Sequence, residues 1–420
     1  MTGSFYGWRV VAAAFVLAVF GWGLGFYGPP IYLQAVREAR GWPLALVSTA
    51  VTVHFLIGAA VVANLPALYR RFGLAPVTRI GALLLAIGVT GWAIATSPWQ
   101  LFLATLFSGA GWAATGAAAI NAIVSPWFVR ARPAALSMAY NGASIGGVVF
   151  SPLWVAAIGL AGFPLAAVAI GLVVVLTVYA FAGPLFGRTP AEMGLAPDGD
   201  ATPAALAKVA ARDAASPSRA ALWRDVGFVT LAAGMALGLF AQIGLIAHLF
   251  SLLVPALGPQ WAGIAMGGAT AAAIAGRTIV GWLMPAGADR RLVVCANYGV
   301  QIAGSVAFIA AAGGNVPLLL IGVLLFGIGI GNATSLPPLI AQAEFAGADV
   351  GRVVSLIVAT SQATYALAPA AFGLIRELTS HGGDVGPHAA TPFFVAVVAV
   401  QILAIGAFLA GRGRHGVRAD

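Results

Sequence analysis

Charged residues are scarce: Asp, Glu, Lys and Arg make up 8% of the 420 residues, whereas 61% are hydrophobic. A water-soluble globular protein carries roughly a quarter charged residues, so this chain has too little polar surface to fold in water. Its apolar runs are long and continuous and do not alternate at every second residue, which disfavours a β-barrel. Each helical crossing needs about 20 residues, so the length accommodates about twelve. We therefore predict an all-α, multi-pass membrane protein.

Cysteine is nearly absent, and the chemical motifs of enzymes are missing. Cys295, in a predicted helix, is the single cysteine, which excludes a disulfide framework. The stretch Gly23–Gly28 fits G-x-G-x-x-G and Gly142–Gly146 fits G-x-S-x-G, but both fall inside predicted spans without the strand that such motifs require. The sequence has no Walker A motif and no H-E-x-x-H. We predict no enzymatic activity, no cofactor and no metal site.

One long polar segment interrupts the apolar pattern and divides the chain into two halves. We predict a six-helix bundle over 1–187, a cytoplasmic linker over 188–224 and a second six-helix bundle over 225–420. Two sequence echoes recur in the same order about 220 residues apart: Trp8-Arg9 with Trp223-Arg224, and Leu106-Phe107 with Leu325-Phe326. Parallel repeats of this kind build a rocker-type transporter. The predicted spans are 7–32, 43–65, 77–97, 100–124, 134–158, 163–186, 226–253, 261–284, 292–312, 315–339, 351–375 and 391–411.

The net charge of +9 follows the predicted topology. Seventeen of the 21 basic residues fall in segments on the side of both termini, and the opposite loops hold only Arg37, Arg40 and Arg376. By the positive-inside rule this side is the cytoplasm. We expect a multi-pass protein of the bacterial cytoplasmic (inner) membrane with both termini inside. The basic residues thus indicate orientation, and we expect no nucleic-acid partner.

Arg277 is the one arginine predicted well inside a span, the eighth. An ionisable residue at that depth is costly and commonly functional. The alternative is an arginine that anchors the helix by reaching towards the lipid headgroups. None of the twelve acidic residues is predicted at mid-membrane. Because a guanidinium binds a carboxylate through two parallel hydrogen bonds, we predict that Arg277 binds an anionic substrate.

Several uncharged polar residues are predicted to complete the substrate site. His54 and His248 are the candidates for proton coupling, because imidazole titrates near neutral pH. For each histidine, an interhelical hydrogen bond is the more common role, and proton uptake by the substrate itself, anion exchange or uniport also stay open. Gln242 is another polar residue at a predicted cavity face. The substrate-binding candidates beside Arg277 and His248 are Tyr27, Asn121, Tyr140, Asn141, Asn332, Gln362 and Tyr365.

Three stretches resemble the monocarboxylate transporter and oxalate/formate antiporter group of the major facilitator superfamily, whose layout the whole chain resembles. They are Trp127-Phe128-x-x-Ala131-Arg132-x-x-Ala135, Pro190-x-x-Met193-Gly194-Leu195-x-Pro197-Asp198-Gly199 and Ala275-Gly276-Arg277-x-x-x-Gly281. The resemblance implies the fold of that superfamily, and it implies that Arg277 is the substrate-binding arginine.

Two departures from the group narrow the expected substrate. Ala273 stands where the monocarboxylate carriers have an aspartate, and the one lysine, Lys208, lies in the linker and not in the eleventh span. A monoanion therefore fits better than a dicarboxylate that two cations hold. We predict a functional monomer in the lipid bilayer that transports a small organic anion, with or without protons, by alternating access. The alternatives are an efflux carrier for a neutral or cationic molecule, and a receptor or scaffold.

Overall fold

The structure is a computed structural model that describes residues 5–199, 222–285, 287–345, 347–379 and 390–412. Within these ranges the chain is helical and contains no strand. Most of the linker, 200–221, including Lys208, lies outside the described residues. The helices are α1 Tyr6–Gly25, α2 Pro29–Arg40, α3 Leu44–Phe72, α4 Leu74–Ile94, α5 Pro98–Thr115, α6 Ala117–Val124, α7 Arg132–Phe181, α8 Val226–Leu283, α9 Arg290–Ala311, α10 Val316–Glu344, α11 Gly347–Tyr365, α12 Ala368–Thr379 and α13 Thr391–Ala410.

Ten helical runs in the described residues are long and apolar enough to cross a membrane. Two of them, of 55 and 58 residues, are long enough for two crossings each. Each breaks at a glycine with positive φ, Gly162 at 76° and Gly258 at 73°. Both glycines lie between spans that the sequence predicts to be separate. Divided at these breaks, the runs give twelve crossings, which confirms the predicted all-α membrane fold.

Three predicted spans lie within single membrane-crossing runs, but the helix of each is interrupted once. The first breaks after Gly25, because Pro29 and Pro30 have no N–H to continue the helix hydrogen bonds. The fourth breaks at Gly116, whose backbone is extended. The eleventh breaks between Tyr365 and Ala368, just before Pro369. The predicted candidates Tyr27, Asn121 and Tyr365 lie at or near these three breaks.

The chain forms two compact units: Met1–Pro203 with Pro259–Gly267, and Ala204–Gly258 with Gly268–Asp420. In the first unit, α1 packs along α7, and α4 packs along α5. The α1–α7 crossing is close because Gly142 and Gly146 have no side chain: a Cβ at either would lie 2.2 or 2.6 Å from a carbonyl oxygen of α1. Small residues on one face let membrane helices approach closely in this way.

The second unit has the corresponding seam between α8 and α10. Gly327 and Gly331 of α10 lie against the backbone of Ala269 and Ala273 in α8. A buried apolar cluster that includes Phe228 and Tyr298 fills the space between the helices of this unit. The unit is therefore held together by close backbone contact along one seam and by side-chain burial elsewhere.

A buried ion pair ties four helices of the second unit together. Arg291 is only 1% exposed, and its guanidinium donates to both carboxylate oxygens of Glu344, at 2.7 and 2.8 Å. It also donates to the carbonyls of Gly227 and Phe408 and to the hydroxyl of Thr230. Arg291 lies in the first turn of α9, one residue before the predicted start of the ninth span. One end of each of the helices α8, α9, α10 and α13 therefore meets at this one guanidinium.

A second carboxylate organises the chain just before α7 in the first unit. Asp198 accepts hydrogen bonds from the backbone N–H groups of Val129, Arg130 and Ala131, at 2.8 to 3.1 Å. Burial by itself would raise the pKa of the Asp198 carboxyl, but the three donors and the Arg130 charge together hold that pKa below its usual value. The carboxylate therefore stays ionised near neutral pH and holds the start of the linker on the loop that enters α7.

Candidate functional site

Arg277 lies in the part of α8 that follows the Gly258 break, and its side chain is half-buried. It lies along Gly331 of α10: a Cβ at that glycine would come within 2.7 Å of both Cγ and Nε of Arg277. Next to Gly331, the buried Asn332 donates to the carbonyl of Ile328 in its own helix. Arg277 and Asn332, two predicted site residues, are thus neighbours of the same glycine.

Three buried glutamine side chains form a hydrogen-bonded chain that ends on the backbone of α10. Gln401 donates to Gln301 at 2.8 Å, and Gln301 donates to Gln242 at 3.0 Å. Gln242 in turn donates to the carbonyl of Ile330 at 3.4 Å. Gln242 is 2% exposed, so the structure assigns it to an interhelical network and not to a cavity wall.

His248 is fully buried in α8 and meets an arginine that the sequence placed elsewhere. Its Nε2 lies 3.1 Å from the carbonyl of Pro369, and its Nδ1 lies 3.4 Å from Nη1 of Arg376. Because a carbonyl only accepts, Nε2 carries the hydrogen, and Nδ1 of the neutral ring accepts from Arg376. Nη1 of Arg376 also donates to Ser251 at 2.7 Å.

Arg376 was predicted in a loop, which was wrong: it lies in the last turn of α12. The helix that begins after the break, at Ala368, continues to Thr379, which is past the predicted end of the span at 375. His248, Ser251 and Arg376 therefore form one polar group in the second unit.

His54, the other predicted histidine, lies in α3 of the first unit. It is 1% exposed, with Nε2 at 2.9 Å from the carbonyl of Gly25 and Nδ1 at 2.8 Å from the hydroxyl of Ser108. The helical partner for the Gly25 carbonyl would be the N–H of Pro29, which does not exist, so His54 supplies the missing donor. Both ring nitrogens are satisfied in the neutral state. This geometry supports a structural role, and proton coupling by His54 stays a prediction.

Two predicted residues of the first unit are hydrogen-bonded to each other beside aromatic rings. Asn121 donates to the Tyr140 hydroxyl at 3.3 Å, and that hydroxyl donates to the carbonyl of Ala117 at 2.9 Å. The ring of Tyr140 meets that of Trp22 edge to face, and Trp22 meets Trp112 in the same way. The break at Gly116 places this α6 carbonyl within reach of Tyr140, so local backbone geometry creates the group.

The remaining candidates lie apart or form their own pair. Tyr27 is buried at the break after α1, with its ring against Phe26. Asn141 is exposed on α7. In the second unit, Gln362 and Tyr365 are hydrogen-bonded to each other at the end of α11. The substrate role of all these residues stays a prediction.

Comparison with known proteins identifies the family. Residues 11–369 match the Major Facilitator Superfamily. The chain belongs to the Major Facilitator Superfamily. It is a multi-pass membrane transporter and not an enzyme, as the sequence predicts.

Among curated relatives of this superfamily member, two monocarboxylate transporters are similar over a limited stretch. Monocarboxylate transporter 13 of Bos taurus is 30% identical over 151 residues, which is 36% of this chain and 35% of that protein. Monocarboxylate transporter 11 of Mus musculus is 30% identical over 154 residues, 35% of this chain and 33% of that protein. The matched stretch therefore spans about a third of the length of each relative, and it supports the predicted resemblance to that group.

Solved transporter structures share the fold of this superfamily member. A mutant of the nucleoside transporter NupG superposes with a TM-score of 0.72 and 14% identity, over 96% of this chain and 100% of that one. A bacterial homolog to the human lysosomal transporter Spinster, inward-facing and unoccupied, gives 0.70 and 17%, over 98% of each chain. At these identities the likeness establishes the architecture alone.

Proposed function

We propose that this transporter carries a small organic monoanion, a monocarboxylate, by alternating access, and that Arg277 binds the carboxylate. The observation that carries the proposal is a half-buried arginine inside a membrane-spanning helix, lying on a glycine of the neighbouring helix. A guanidinium offers a planar fork of donors that matches a carboxylate, and in a site of low dielectric this pairing is much stronger than in water.

The relatives and the sequence support a monoanion in particular. The two similar curated proteins are named as monocarboxylate transporters. The single lysine of the chain is in the linker, so no lysine is available in a span as a second cation for a dicarboxylate. Within the same proposal, the protein is a monomer of the bacterial inner membrane with cytoplasmic termini. Protons accompany the anion through His248 or through the acid form of the substrate, and the alternatives are anion exchange and uniport.

A thermal-shift screen tests the proposal and its alternative, an efflux carrier for neutral or cationic molecules. Purified protein is heated with acetate, lactate, benzoate or tetraphenylphosphonium, each over a concentration series. A ligand at a hundred times its Kd stabilises a native protein by about 2.7 kcal/mol, so a binding carboxylate raises the unfolding temperature measurably.

We expect at least one carboxylate to stabilise the wild type and to lose that effect in Arg277→Ala, while the cation does not stabilise. Stabilisation by the cation alone, or by carboxylates equally in the variant, would contradict the proposal. Tryptophan fluorescence during heating reports the transition without any transport step.

A further inference from the structure

The side chain of Arg277 has its position because one residue of α10 has no side chain. A Cβ at Gly331 would lie 2.7 Å from Cγ and 2.7 Å from Nε of Arg277, as well as 2.7 Å from the carbonyl oxygen of Ala273. Real Cβ atoms do not approach other atoms this closely. The middle of the arginine side chain therefore occupies the volume that any other residue at 331 would fill.

The backbone immediately before Gly331 is held by buried amides from two other helices. Asn297 of α9 donates to the carbonyl of Gly329 at 3.1 Å, and Gln242 of α8 donates to that of Ile330 at 3.4 Å. The side chain of Gln301 lies over Gly329, where a Cβ would come within 2.3 Å of its Cγ. Leucine in place of Asn297 or Gln242 would fill a similar volume, but it could not donate a hydrogen bond to the α10 backbone.

We propose that Gly331 is a positioning residue for Arg277 and that Asn297, Gln242 and Gln301 fix the stretch of α10 that carries it. The inference rests on the proposed role of Arg277 in carboxylate binding and adds the element that orients this arginine. A methyl group at 331 moves Cγ and Nε away from α10, and the guanidinium at the end of the side chain moves further than either. A displacement on the order of 1 Å in a binding group costs up to about 100-fold in activity.

The same helix supplies a matched control one turn earlier. A Cβ at Gly327 would lie 2.7 Å from the carbonyl oxygen of Ala269 and 2.9 Å from its Cα, both in α8. Alanine at 327 therefore crowds the backbone of α8, as alanine at 331 crowds the carbonyl oxygen of Ala273, and the three nearest atoms it would meet do not include Arg277. The two substitutions share the packing cost and differ in whether they displace the arginine.

The experiment compares Gly331→Ala, Gly327→Ala and Arg277→Ala for stability and for the concentration of carboxylate that gives half-maximal uptake or stabilisation, with lactate and benzoate as probes. We expect similar losses of unfolding temperature in both glycine variants. Gly331→Ala should raise the half-maximal concentration about 10-fold or more, and Gly327→Ala should stay within about twofold of the wild type. Equal values in the two glycine variants would overturn the inference, because they would show that only packing matters.

A second variant covers the case in which Gly331→Ala does not fold. Asn297→Ala removes the hydrogen bond to the Gly329 carbonyl without adding an atom, and it should raise the half-maximal concentration a few-fold. An unchanged value would contradict the proposed network.

The result for Arg277→Ala distinguishes failure of the positioning role from failure of the proposed function. If that variant loses the carboxylate effect while Gly331→Ala and Asn297→Ala keep it, only the positioning role fails. If Arg277→Ala keeps the effect, or the wild type responds to neither probe, the proposed function fails with it.

Discussion

Arg277→Ala is expected to abolish carboxylate uptake in proteoliposomes while the protein still inserts and keeps its helical content. The guanidinium is half-buried in a spanning helix, so its removal takes away the charge that neutralises the substrate and leaves the buried core of the second unit unchanged. Removing one partner of a buried hydrogen-bonded charge pair typically costs 2–5 kcal/mol in binding, which is roughly 30-fold or more in affinity.

Arg277→Lys is the informative companion variant. Lysine keeps the positive charge but presents a point charge instead of a planar fork, so we expect partial uptake with a higher KM. Uptake is measured with radiolabelled lactate and benzoate, and circular dichroism and size-exclusion chromatography verify that each variant is folded. Wild-type uptake in Arg277→Ala would show that the arginine only anchors the helix.

Glu344→Ala is expected to cause the largest loss of stability among single substitutions at the helix ends. It leaves the guanidinium of Arg291, which is 1% exposed, without its carboxylate. Breaking a buried ion pair by removing one partner costs about 3–5 kcal/mol, because an uncompensated charge stays buried. We expect a strongly lowered unfolding temperature and poor recovery of the purified protein.

Arg412→Ala is the matched control, since it breaks an ion pair of the same unit that is open to solvent. Arg412 and Asp289 are 51% and 35% exposed, and exposed pairs contribute about 0–1 kcal/mol. The double variant Arg291→Met with Glu344→Leu should recover part of the loss, because no buried charge remains. Equal stability of Glu344→Ala and Arg412→Ala would contradict the structural role given to this pair.

The fold was predictable from the sequence because hydropathy alone determines how many helices a chain of this composition can pass through a membrane. The breaks at Gly162 and Gly258 fall between predicted spans, and the two glycine seams follow from the spacing Gly142-x-x-x-Gly146 and Gly327-x-x-x-Gly331. Each of these features is local in sequence, and each has a direct physical cause: a left-handed backbone position or a close helix crossing.

What the sequence did not predict depends on backbone breaks and on partners far along the chain. The break after Gly25 was visible in Pro29 and Pro30, but hydropathy continues smoothly across it. The buried ion pair of Arg291 was not foreseen, because its partner Glu344 lies 53 residues away.

The candidate site was predicted in its residue types more than in its contacts. Arg277 lies in a spanning helix as predicted, but the partners of His248 were not foreseen, because Arg376 follows a helix break that hydropathy does not show. Gln242 and His54 turned out to have both of their polar ends engaged by other helices or by backbone. In a membrane interior such hydrogen bonds between helices satisfy groups that water cannot reach, so a polar residue alone does not mark a substrate contact.

The most direct test of the account is an experimental structure of the wild-type protein with the carboxylate that stabilises it most in the thermal screen. The measurement is the distance from the two carboxylate oxygens to the guanidinium nitrogens of Arg277. We predict two parallel hydrogen bonds of about 2.7–2.9 Å, with the arginine side chain lying over Gly331. A carboxylate bound elsewhere, with the Arg277 guanidinium among the lipid headgroups, would contradict it.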